Sequence, residues 1–324
     1  MTDTVGLTRL DDERARATGV GEHRRLARQR SRRRANLAAY TFLLPWLVGL
    51  LGLTLGPMLY SLYLAFTDYD LLTSPRWIGA RNFVDMFHDT RYLASLKVTT
   101  IFVVTSVPLK LAVALGVAAV LNAGMRWLDA YRALYFLPSL LGASVAVAIM
   151  WKQVFGGDGL VNHVLAWVGV QGPSWTSDPH YALWTLIALG VWQFGTPMLI
   201  FLAGLRQIPT MLYDAAAVDG ANWWRRFWHI TLPQLTPLIF FNLVLQVIAG
   251  FQVFNSAFVI SGGTGGPSDS TLFYTLYLYQ EGFTNFRMGY ASAMAWVLLA
   301  IVAVLTAANF RLSRLWVHYD DGGR

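Results

Sequence analysis

Six long apolar stretches separated by polar connectors organise this chain, at about 39–64, 98–121, 132–153, 181–204, 236–259 and 289–310. Each is near the roughly 20 apolar residues that a helix needs to cross a hydrocarbon core of about 30 Å. The pattern predicts an all-α polytopic membrane protein with six transmembrane helices. Before the first stretch lies a polar arm, residues 1–36, rich in arginine (Arg24, Arg25, Arg28, Arg30, Arg32, Arg33, Arg34). Residues 37–312 form the membrane domain, and 313–324 a short polar tail. The arm is too long, and the apolar run behind it too extended, for a cleaved signal peptide. Stretch one carries Gly52 and Gly56 at close-packing spacing. Stretch two holds Lys110 just after Pro108, and stretch three has bending points at Pro138 and Gly142. Stretches four and five hold no charged residue.

Charge sets an orientation. With the N-terminus inside the cell, inner segments hold about eighteen lysines and arginines and outer loops about five. This predicts both termini inside and an even number of spans. Mean hydropathy of +0.44 and 13% charged residues exclude an ordinary soluble domain. The net charge of +7 sits largely beside a membrane span, which points to lipid headgroups rather than nucleic acid. Without cysteine, disulfides and thiolate metal sites are excluded. The six histidines are scattered, no metal site or catalytic constellation stands out, and no phosphate-binding loop ending in Gly-Lys-Ser/Thr occurs. No cofactor is expected on this chain.

Between stretches four and five, Ile208–Pro237 carries its own helix signals. Pro209-Thr210 marks a start with Thr210 as N-cap, and Asp214 lies near the positive end of the helix dipole. Gly220 supplies the turn at the far end. A second short helix begins at Asn222, placing Trp223, Phe227 and Ile230 on one side and Arg225 and Arg226 off it. Leu232-Pro233 ends that segment, and Pro237 falls in the opening turn of the next span. Such a bent helical elbow is suited to being gripped by another protein.

The run D-A-A-A-V-D-G-A, Asp214 to Ala221, followed by I-T-L-P, Ile230 to Pro233, resembles the EAA loop of ATP-binding-cassette importer permeases. The family's usual glutamate is Asp214 here. T-D-Y-D-L (Thr67–Leu71), W-I-G-A-R-N-F (Trp77–Phe83), M-W-K (Met150–Lys152) and G-L-V-N-H-V-L (Gly159–Leu165) are similar to other segments of that family. S-G-G-T-G-G-P (Ser261–Pro267), Tyr274-Thr275-Leu276-Tyr277, Phe283 and Met288–Ala293 narrow the resemblance to the carbohydrate branch, which takes up oligosaccharides and glycerol-3-phosphate-like polyols. The resemblance implies a permease subunit in a bacterial plasma membrane. It implies four partners: a second permease, a dimer of ATPases that binds ATP and magnesium, and an extracytoplasmic sugar-binding protein. It also implies that Tyr213, Asp214, Ala215, Ala216, Ala217, Asp219, Gly220, Ala221, Ile230, Leu232 and Pro233 form the ATPase-coupling loop.

A sugar path needs hydrogen-bonding groups in an uncharged lining, because hydroxyls must exchange their water contacts for protein ones. Asn242 and Gln246 lie one turn apart on one face of span five, with Ala249 and Gly250 continuing it. Gln252 and Asn255 lie further round, toward a partner span. Gln193 and Trp192 in span four and Ser292 in span six complete the expected path. The same amides could instead hold helices together. Lys110 is a functional candidate as an ionisable group within a span, or a lysine that snorkels or faces the protein interior. An ion-coupled secondary carrier is the alternative function, and only Lys110 hints at it.

Overall fold

The computed structural model describes residues 40–124, 127–142 and 144–317. The arginine-rich arm and residues 318–324 of the tail lie outside the described residues. The chain divides into two compact units, Met1–Ser61 and Leu62–Arg324. The described part of the first belongs to helix α1, Tyr40–Leu64, in which Gly49–Leu55 widens to a π-helical turn.

The second unit opens with strands β1, Thr67–Asp68, and β2, Arg76–Trp77. They pair antiparallel, Thr67 opposite Trp77 and Asp68 opposite Arg76. Helices follow in chain order: α2 Arg81–His88, α3 Thr90–Asn122, α4 Leu128–Leu141, α5 Val145–Val154, α6 Leu160–Trp167, α7 Ala182–Trp192 and α8 Gly195–Leu205. The elbow holds α9, Thr210–Val218, and α10, Trp223–Arg226. Then come α11 Leu232–Phe251, α12 Asn255–Ser261, α13 Tyr274–Tyr279 and α14 Met288–Trp316.

Among the described residues, five helical runs are long and apolar enough to cross a membrane, or six if the bent pair α4 and α5 forms one span. Stretch three is therefore not one straight helix: α4 and α5 meet at 100°. Gly142 ends α4 at that break, Pro138 lies inside the last turn of α4, and Ser144 caps α5 by accepting from the Val147 N–H at 3.3 Å. Stretch four breaks at Gln193-Phe194. Stretch five bends at its far end, between Phe251 and Asn255. Helix α3 starts at Thr90, well before the apolar run, because the Asp89 side chain caps it by accepting from the backbone N–H groups of Arg91 and Tyr92. Helix α14 runs to Trp316, past the 312 boundary expected for the membrane domain.

Helix α3 is the central element and packs against α7, α8, α11 and α13. Its buried positions, Ser95, Val98, Thr99, Phe102, Val103, Ser106, Val107, Leu111, Ala114, Ala118 and Leu121, recur every three or four residues and form one continuous face. The fully buried Ala114 and Ala118 are small enough to bring a neighbouring backbone close, the usual way of packing helices where lipid removes the hydrophobic drive.

At one end of the bundle Asp89 joins three helices. Its Oδ2 accepts from the hydroxyls of Tyr277 at 2.5 Å and Tyr290 at 2.8 Å. Nearby, Arg91 forms two bonds to Asp269 at 3.0 and 3.1 Å, and Arg287 pairs with the buried Glu281 at 2.9 Å. Helix α14 leads away from this end; its 29 residues span about 43 Å. Near its far end Phe310 and Trp316 pack against Phe240 of α11.

Burial pushes the Asp89 carboxyl up, but the two tyrosine hydroxyls and two backbone N–H groups outweigh it and hold the acid below its usual 3.8. A depressed folded value means this stabilisation is complete above the ordinary carboxylate pKa and is lost only as pH falls through the folded value. Melting temperature should therefore be insensitive to Asp89 between neutral and mildly acid pH. Asp89→Asn should cost about 1–2 kcal/mol, since an amide offers donors where two hydroxyls already donate. Thermal unfolding of the purified protein across that pH range checks both.

Candidate functional site

The elbow is built from three capping devices. Gly220 ends α9 in the left-handed conformation, φ +72°. This lets the Ala221 N–H donate to the Ala216 carbonyl at 2.9 Å while the Gly220 N–H donates to Ala217 at 3.1 Å. Asn222 then opens α10, its Oδ1 accepting from the Arg225 N–H at 2.9 Å. The Arg226 Nε donates to the Ala221 carbonyl at 2.8 Å, and the hydroxyls of Tyr213 and Thr231 are bonded at 2.9 Å, tying α9 to the helix that follows.

Three sequence expectations change here. Pro209, not Thr210, is the N-cap; its backbone is extended at ψ 130°, and Thr210 is already helical. Asp214 therefore stands in the second turn, beyond the first turn where the helix dipole acts. Pro233 does not end the second elbow helix. A π-helical turn at Phe227–Thr231 joins α10 directly to α11, and Leu232 donates five residues back to Phe227. A wider turn relieves the clash between a proline ring and the carbonyl four residues before it.

The elbow presents apolar side chains outward. Met211, Val218, Trp223, Trp224 and Trp228 are all exposed, Val218 to 89%. Asp214, Ala215, Ala217, Asp219 and Gly220 are exposed with them, while Tyr213, Ala216, Ala221, Ile230, Leu232 and Pro233 are half-buried.

A second feature is a cavity of about 260 Å³ bounded by α3, α7, α11 and the bend after α11. Of the residues expected along a path, Gln193, Gln246 and Gly250 line it, together with Gln252 and Asn255. Asn242 does not; it is buried, its amide nitrogen donates to the Leu238 carbonyl at 2.9 Å, and its oxygen has no partner among the described residues. Ser292 is buried away from the cavity, and Trp192 lines a separate apolar groove where it packs against Trp151. One turn of helix separates Asn242 from Gln246, yet α11 turns only the second toward the space.

Gln193 occupies the break between α7 and α8. Its Nε2 donates to the Gly142 carbonyl at 3.0 Å, and its own carbonyl accepts from Ser139 at 3.2 Å. The broken ends of two spans are thus stitched to each other beside the cavity. Gly250 lets α11 approach α3, since a Cβ there would come 2.9 Å from a Val103 methyl. Phe102, Ser106, Lys110, Gly142, Phe254 and Ser256 also line the space. Of these the sequence singled out only Lys110 as a candidate, through its charge; Gly142 entered as a bending point, and the others fall in ordinary apolar or turn contexts.

Helical runs long and apolar enough to cross a membrane, a cavity edged by amides and one lysine, and a capped helical elbow at one connector suit an integral membrane transport component. A model of the family described as "Binding-protein-dependent transport system inner membrane component" matches residues 112–317. The chain is 54% identical over 298 residues to the probable ABC transporter permease YesP of Bacillus subtilis, covering 91% of this chain and 96% of that one. It is 32% identical over 294 residues to the lactose transport permease LacF of Rhizobium radiobacter, covering 89% and 98%. Its fold matches a chain of a bacterial ABC transporter that imports the acidic polysaccharide alginate, at 23% identity and TM-score 0.74, covering 87% and 96%. The chain belongs to the family of binding-protein-dependent ABC transporter inner-membrane permeases. It is a multi-pass transport component.

Proposed function

We propose that this permease forms half of the translocation path of a sugar importer and passes the movement of a separate ATPase to that path through the elbow. One observation carries the reading: the helical run Trp223–Ser261 begins in the exposed elbow and reaches Gln246, Gly250, Gln252 and Asn255 of the cavity. A push on α10 would thereby act on the cavity wall. Two helical states of that run, each favoured by a different ATPase conformation, are sufficient to couple the two. Asp214 to Ala221 offer the ATPase a surface of mostly small residues that includes the exposed Val218, bordered by Met211 and rigidified by the Gly220 turn.

The cavity of about 260 Å³ falls just below the roughly 300–1,000 Å³ of complete small-molecule sites, as a path shared with a second permease would. Gln246, Gln252, Asn255 and Ser106 offer hydrogen bonds to hydroxyls, and Phe102 and Phe254 offer apolar faces to sugar C–H groups. Lactose transport by a relative of this chain supports a sugar as cargo. In this reading both termini lie in the cytoplasm and the chain spans the bacterial plasma membrane six times. ATP and magnesium are held by the partner ATPase dimer, and an extracytoplasmic binding protein delivers the sugar.

Isolation in mild detergent with mass spectrometry of the bound chains tests this. One second permease and two ATPase chains carrying a Walker motif should remain with it, and reconstituted uptake should require ATP. A chain that is recovered alone and transports on a proton or sodium gradient would be an ion-coupled carrier and sink the proposal.

A further inference from the structure

Resting on the sugar-importer reading, we infer that the cavity takes saccharides bearing a carboxylate, with Lys110 supplying the positive charge that receives it. Lys110 is the single charged residue among those lining the cavity, and no aspartate or glutamate accompanies it there. No ion pair or hydrogen bond among the described residues includes its ammonium group.

Its depth is the decisive point. Lys110 stands 20 residues from the start of α3 at Thr90 and 12 from its end at Asn122. At 1.5 Å per residue the nearer end is about 18 Å away, beyond the reach of a lysine side chain along the helix. A cation held in mid-membrane without a counter-ion is costly and needs water, a partner or a ligand to offset it. The cavity is where this one faces. Around it Gln246, Gln252, Asn255 and Ser106 are neutral groups able to bond sugar hydroxyls, so charge and hydroxyl recognition share one wall.

The charge count favours a carboxylate over a phosphate ester. A carboxylate carries one negative charge, whereas a phosphate monoester carries about 1.5 to 2 near neutral pH and favours several cationic or N–H donors. No arginine and no second lysine lines this cavity.

The test uses the whole complex, permease pair with ATPase dimer, in nanodiscs and without the binding protein, so that this cavity's preference is read directly. The probes are a trimer of galacturonate, its carboxyl-reduced neutral counterpart, and glucose 6-phosphate. The wild type should bind the acidic trimer about tenfold tighter than the neutral one, the scale of a hydrogen bond to a charged group. Lys110→Gln should remove that preference by weakening the acidic trimer far more than the neutral one, and Lys110→Arg should keep it. The inference is overturned if the wild type shows no preference for the acidic trimer, if it prefers the phosphate, or if Lys110→Gln weakens both trimers equally. That last outcome would make Lys110 a structural group facing the partner permease. ATP-dependent uptake of the neutral trimer by an unselective complex would overturn the inference while leaving the sugar-importer reading intact.

Discussion

Gly220→Pro is expected to lower ATP-driven uptake by at least about tenfold while the chain still inserts and assembles in the membrane. The residue sits at φ +72°, a region closed to proline, whose ring fixes φ near −65°. Proline also removes the N–H that bonds the Ala217 carbonyl at 3.1 Å and disrupts the turn that allows Ala221 to reach Ala216. The α9–α10 angle is thereby lost, although no residue of the buried core around α3 is touched. Gly220→Ala is the graded control. It keeps the N–H and costs only the about 1–2 kcal/mol of a left-handed non-glycine residue, so uptake should fall partially. Uptake into proteoliposomes, set beside ATPase activity and the amount of assembled complex, reads the difference. Normal transport by the proline variant would remove the elbow from the coupling path.

Hydrophobic pattern made most of this fold legible, and it fell short where helices break or unexpectedly continue. Apolar run length locates a span but carries no information about a break inside it. Stretch three contains Pro138 and Gly142, and the pattern marks them as bending points; the 100° turn between α4 and α5 depends on Ser144 capping a new helix and on Gln193 bonding Gly142 from another span. The second of these is a tertiary contact. Pro233 misled for the opposite reason. A proline usually stops a helix, but the π-helical turn at Phe227–Thr231 absorbs it and keeps the run continuous.

The cavity was legible in part. Amide-bearing positions were identifiable by type, yet helical spacing alone put Asn242 and Gln246 on one face. Only Gln246 reaches the cavity, whereas Asn242, one turn earlier along α11, is buried and bonds the Leu238 carbonyl. Lys110 stood out in the sequence through its charge alone, without any reason to place it beside Gln246. By contrast, the Gly220 turn and the Asn222 cap are local features, set by residues within a few positions, and both appear where the sequence put them.

Gly289→Ala is expected to destabilise the complex by about 1–3 kcal/mol, at the upper end of that range for overpacking. An added Cβ would lie 2.1 Å from the Thr67 carbonyl oxygen and 3.1 Å from the Tyr69 nitrogen, and both are backbone atoms. The carbonyl has little freedom to retreat. It accepts from the Asn82 side chain at 3.0 Å, the same amide group holds the Ala65 carbonyl at 2.9 Å, and Thr67 is paired with Trp77. The N-terminus of α14 must therefore move instead, and the Gly289 N–H would lose the Tyr69 carbonyl at 3.0 Å. Tyr290, one residue on, would be drawn away from Asp89. This predicts that Gly289→Ala and Asp89→Asn are not additive, because the first already removes part of what the second deletes. Thermal unfolding of the two single variants and the double variant measures the coupling. Gly116→Ala supplies the control: nothing lies within 4 Å of the added carbon, and alanine in a helix interior should stabilise by about 0.5–1 kcal/mol. Full additivity of Gly289→Ala and Asp89→Asn would mean that the start of α14 is seated on Thr67 independently of the Asp89 junction.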